Sequence, residues 1–71
     1  MRVRFENKIF EADKVMHPGG VGNFIYISTP NGYYEVQCID VQEAKDIMYE
    51  LLREGYHDFN GREYRSTWMD L

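Results

Sequence analysis

The chain has 71 residues, 44% of them apolar and 15% aromatic, and a formal net charge of −4. This length allows one domain with a thin core and leaves little room for a deep dry pocket, while so many large rings are incompatible with a disordered chain. The acidic balance repels phosphate backbones on average and so disfavours ordinary nucleic-acid binding.

Residues 2–16 read as a β-hairpin turning at Asn7-Lys8. In that register Phe5 opposes Phe10 and Val3 opposes Ala12 on an apolar face, while Arg4 opposes Glu11 and Arg2 opposes Asp13 on the other. Residues 17–23, with three glycines and a proline, break any regular element and read as a flexible loop. The loop leads into a strand rather than a helix. It lacks Lys or Ser/Thr at the offsets that phosphate cradles need, so it is not read as a phosphate site.

Residues 24–39 carry the clearest hairpin signal, with Asn31-Gly32 as the turn. That turn pairs Ile27 with Val36, Ile25 with Cys38 and Thr29 with Tyr34 on the core side. The opposite face carries Phe24, Tyr26, Ser28, Tyr33, Glu35, Gln37 and Ile39. Residues 41–54 read as a helix. Asp40 is the N-cap, Glu43 the capping-box partner, and Gly55 the residue beyond the C-terminus. Val41, Ala44, Ile47, Met48, Leu51 and Leu52 form its apolar stripe.

Residues 56–71 contain Tyr56, Phe59, Tyr64 and Trp68, too many rings for a solvated tail. Asn60-Gly61 reads as a turn, and the alternation over 62–68 suits a terminal strand or an extended wrap over the sheet. The expected fold is a single α+β domain spanning 1–71, in the order ββββα with a last strand if the tail supplies one. An antiparallel sheet of four or five strands is covered on one face by the helix.

No catalytic, cofactor-binding or metal-binding residues are assigned. Cys38 is the sole cysteine and points to the core, and His17 and His57 have no spacing that joins them to it. The lone cysteine, the lack of a signal-like segment after Met1 and the lack of a long apolar run point to a cytoplasmic protein that does not contact membranes. A chain starting at Met1 reads as a complete small product.

Three surfaces are candidates for partner binding. The open sheet face offers Phe24, Tyr26 and Tyr33, rimmed by Glu35 and Gln37. The helix offers Glu43, Asp46, Glu50 and Glu54, a stripe suited to steering a basic partner. The tail offers Arg62, Tyr64, Arg65 and Trp68. The expected function is a small non-enzymatic protein-binding module, a regulator or inhibitor. The alternatives are a weak single-stranded nucleic-acid binder using the sheet aromatics and tail arginines, and a homodimer through the sheet face. The discriminating observation is whether the C-terminal segment covers Phe24, Tyr26 and Tyr33.

Overall fold

A computed structural model describes residues 1–5, 8–59 and 64–70. The period-two pattern of the first half folds as β1 (Arg2–Phe5), β2 (Lys8–Glu11), β3 (Lys14–Met16), β4 (Phe24–Thr29) and β5 (Gly32–Gln37). The helix α1 (Val41–Glu54) follows, then β6 (Tyr56–Asp58) and β7 (Arg65–Asp70). The fold is α+β. Its larger sheet is four-stranded and antiparallel, in the order β3-β4-β5-β7, so the tail supplies the last strand. A second sheet, β2-β1-β6, pairs β1 antiparallel with β2 and parallel with β6.

Both hairpins keep the expected faces but shift the expected pairing by two residues. In the first, Val3 opposes Phe10 and Arg2 opposes Glu11, which places Lys8 in the strand opposite Phe5. Asn7, half of the expected turn, lies outside the described residues, as does the Asn60-Gly61 turn. Arg2 Nε donates to Glu11 Oε1 at 3.2 Å, and Arg4 reaches Asp58 on β6 instead of Glu11. In the second hairpin Ile25 opposes Val36 and Ile27 opposes Tyr34, so the loop is Pro30-Asn31 and Gly32 belongs to β5. Side chains alternate with a period of two, so burial fixes a register only to the nearest even shift, and loop chemistry decides the rest. Here Thr29 Oγ1 accepts from Asn31 N at 3.3 Å and donates to the Gly32 carbonyl at 3.1 Å, closing the turn around Pro30.

The helix ends follow the sequence signals. Asp40 Oδ1 accepts from Glu43 N at 2.8 Å, and Glu43 Oε1 reaches back to accept from Ile39 N at 2.9 Å. Gly55 takes a left-handed φ of 73° and donates to the Leu51 carbonyl, a conformation that costs a residue with a Cβ more than it costs glycine. Ala44, Ile47 and Leu51 are buried against β3, β4 and β6. Leu52, expected on the apolar stripe, is instead 60% exposed, because the buried arc of α1 centres on Ala44, Ile47 and Leu51.

The core comprises Val3, Ala12, Val15, Ile25, Ile27, Val36, Cys38, Ala44, Ile47, Leu51 and Phe59. The helix covers only part of the inner face of the larger sheet. The smaller sheet covers the rest through an aromatic cluster. Tyr34 lies 5.7 Å from Phe5, 5.2 Å from Phe10 and 4.7 Å from Trp68 between ring centres. Phe59 joins this cluster at 4.6 Å from Phe5 and 5.1 Å from Tyr64.

The loop over 17–23 is organised by His17. The Gly19 amide donates to Nδ1 at 3.0 Å, which leaves the ring proton on Nε2 to donate to the Gly22 carbonyl at 2.6 Å. Gly19 and Gly20 hold φ values of 92° and 63°, a turn that suits glycine. His17→Ala is expected to remove about 1 kcal/mol of local stability. Amide exchange at Gly19 should accelerate, and an unchanged rate would show that the ring does not hold the loop.

Candidate interaction surface

Residues directly opposite one another in a ladder share a face. The registers therefore set three rows across the open side of the larger sheet. One row holds Met16, Tyr26, Glu35 and Thr67. The next holds Lys14, Ser28, Tyr33 and Met69, and the third holds Phe24, Gln37 and Arg65. Neither α1 nor the smaller sheet packs on this side, since both lie against the buried Ile25, Ile27 and Val36 side.

The described part of the tail does not cover these aromatics. β7 extends the sheet sideways from β5, with Thr67 opposite Glu35 and Met69 opposite Tyr33. Phe24, Tyr26, Tyr33 and Glu35 are half-buried and Gln37 is exposed. The rings shield one another edge to face. Phe24 and Tyr26 are 5.5 Å apart at 80°, and Tyr26 and Tyr33 are 5.6 Å apart at 82°. A shallow depression of about 230 Å³ lies among Met16, Tyr26, Ser28 and Tyr33. Met16 and Met69 extend this patch, and sequence reasoning missed both. The alternation of Lys14, Val15 and Met16 carried a signal for Met16. Nothing local signalled Met69, whose place depends on the pairing of β7 with β5.

Each of the four acidic residues of α1 has a hydrogen-bond partner. Glu43 is engaged in the capping box. Asp46 Oδ1 accepts from Gln42 Nε2 at 2.9 Å, and Glu54 Oε1 accepts from Arg53 Nε at 2.9 Å. Glu50 bonds His57 Nδ1 on β6. His57 thus sits beside a carboxylate, as an acid–base pair would require. Its other nitrogen, Nε2, is sealed from solvent with no hydrogen-bond partner among the described residues, and the ring packs edge to face on Phe59 at 4.4 Å. A base needs to reach its substrate, so this pair fits a structural tie between α1 and β6.

The tail residues separate. Tyr64 and Trp68 pack inward on Phe59 and Tyr34, Arg65 is exposed on the open face, and Arg62 lies outside the described residues. Cys38 is buried, and its thiol points to the Val36 carbonyl. Among the described residues no three His, Cys, Asp or Glu side chains converge as metal ligands would. Among them, too, no helix is long and apolar enough to cross a membrane.

The open face therefore carries three rings and two methionines, with Ser28 and Glu35 set among them and Lys14, Gln37 and Arg65 toward its margins. The chain matches no family model, no curated protein and no solved structure.

Proposed function

We propose that this chain is a small protein-binding module that engages its partner through the open face of the four-stranded sheet, acting in the cytoplasm as a regulator or inhibitor of that partner. One observation carries the reading. β7 flanks β5 instead of crossing the sheet, which leaves Phe24, Tyr26 and Tyr33 contiguous with Met16 and Met69. Aromatic and methionine side chains with a polar rim have the composition of an interface centre. The near-perpendicular rings favour a protein partner over single-stranded nucleic acid, because successive bases stack on rings that present flat faces in sequence. The net charge of −4 favours a partner with a basic rim, with capture that weakens as salt rises.

The test is capture from source cells on the immobilised chain, with bound material identified by mass spectrometry. Tyr26→Ala should lower the affinity for the captured protein about 30-fold, the effect of truncating a central interface tyrosine. Asp46→Ala on the helix should change it little. Equal capture by wild type and Tyr26→Ala would overturn the reading. So would tight, Tyr26-dependent binding of a single-stranded oligonucleotide with no protein retained.

A further inference from the structure

On the other side of the larger sheet from the open face, a cleft of about 420 Å³ lies where β2 meets the Pro30 turn. All four residues of β2 border it, and none of β1 does. Side chains alternate along a strand, so a cavity on one face of β2 would touch only every second residue. Contact with all four places the cleft along an edge of the strand, and the absence of β1 makes it the outer edge.

The backbone of that edge has unused bonding capacity. Met1 and Ala12 exchange both of their bonds, at 2.7 and 3.0 Å. Bonding pairs alternate along an antiparallel ladder, so Val3–Phe10 and Phe5–Lys8 bond while Arg2–Glu11 and Arg4–Ile9 do not. Arg2 N–H and Arg4 C=O accordingly turn to the other side, where they bond the Gly55 carbonyl and the Phe59 amide. Ile9 and Glu11 direct their N–H and C=O groups outward, along the cleft. No strand lies beyond β2 among the described residues, and no described loop backbone bonds these two.

Side chains give the edge a chemical preference. Phe10, Tyr34 and Trp68 border the cleft as a run of rings, 5.2 and 4.7 Å between centres. Lys8 lies on the Phe10 side of β2, is exposed, and has no ion-pair partner among the described residues. Glu11, the other charge of the strand, is matched by Arg2 at 3.2 Å. Ile9, on the reverse side, is an apolar residue left 60% exposed.

We infer that β2 takes an extended segment of a protein partner as a further antiparallel strand. Strand addition supplies the missing backbone bonds, and alternate side chains set the specificity. Residues opposite one another share a face. The residue opposite Phe10 therefore meets the rings and is large and apolar. The next lies on Ile9 and is β-branched. The one after meets the Lys8 ammonium and is acidic. Antiparallel pairing, the stronger geometry, orders them apolar, β-branched, acidic from N- to C-terminus. This site is separate from the open face and does not depend on it.

The probe is a blocked hexapeptide reading threonine, threonine, phenylalanine, valine, glutamate, threonine, titrated to about 1 mM into the isotope-labelled full chain. The Ile9 and Glu11 amide resonances should move downfield along a saturable curve, and their exchange with solvent should slow. An N-methyl group on the valine removes its bond to the Ile9 carbonyl and should weaken binding about ten-fold. Lysine in place of the glutamate should weaken it about five-fold, and Lys8→Glu should reverse that preference. Tyr26→Ala, on the other side of the sheet, should bind the peptide as wild type does. Three results would each overturn the inference: Ile9 and Glu11 amides that stay still throughout the titration, an N-methylated peptide that binds as well as its parent, or a Lys8→Glu chain that keeps the wild-type preference.

Discussion

Ile25→Ala is expected to cost about 2–5 kcal/mol and bring the domain close to its folding limit. Ile25 is fully buried in β4, opposite Val36 and in the same core cluster as Ala44, Ile47 and Leu51 of the helix. Truncation removes three carbons of burial and leaves a void that backbone on both sides holds open, because β4 is an inner strand of the sheet. A chain of 71 residues has only eleven buried hydrophobic positions among those described, so little remains to compensate. Small domains are stable by roughly 5 kcal/mol, so this one change consumes a large share. Urea unfolding followed by circular dichroism measures it. Leu52→Ala is the matched control. It deletes the same three carbons from an apolar position that is 60% exposed, and should cost under about 0.5 kcal/mol. Equal costs at the two positions would contradict the packing of α1 on the larger sheet.

That contrast also marks how far sequence could reach. Local signals were legible. Asp40, Glu43 and Gly55 set the helix ends where the backbone places them, because capping chemistry acts within a few residues. The faces of β4 and β5 were legible too, since Tyr33 and Tyr34 differ by one step in a period of two and point to opposite sides. Register was not, because a shift by two leaves every face unchanged. Leu52 and Leu51 are alike in composition and adjacent on the stripe, and only the direction of the packed sheet separates them. The parallel pairing of β6 with β1 joins residues more than fifty positions apart, and nothing in Tyr56-His57-Asp58 announces it. The aromatic cluster under Tyr34 has the same origin, since it exists only because the smaller sheet folds over. The candidate contact surface was half legible. Phe24, Tyr26 and Tyr33 follow from alternation along one hairpin, whereas Met69 arrives from a strand whose place depends on distant pairing. For the helix acids, sequence shows the charges but not their partners. His57, which engages Glu50, comes from β6.

Gly32→Ala is expected to loosen β7 and lower stability by about 1–3 kcal/mol. The sequence suggests that Gly32 serves the turn, but its role is close approach. A Cβ built there would lie 2.7 Å from Trp68 Cζ2 and would collide with the Met69 carbonyl oxygen. A free indole would swing aside, yet this one is held on Tyr34 at 4.7 Å and its Nε1 donates to Asp70 Oδ1 at 2.6 Å. The carbonyl is backbone and cannot move without breaking the β5–β7 register. Relief therefore requires the end of β7 to peel away from Gly32. Trp68 is the only tryptophan, so its emission reports this strand directly. The variant should show red-shifted emission under native conditions and earlier loss of the indole signal than of helical ellipticity on urea titration. Coincident transitions with an unshifted spectrum would show that β7 tolerates a methyl group beside it, and that glycine at this position is not what lets the last strand dock.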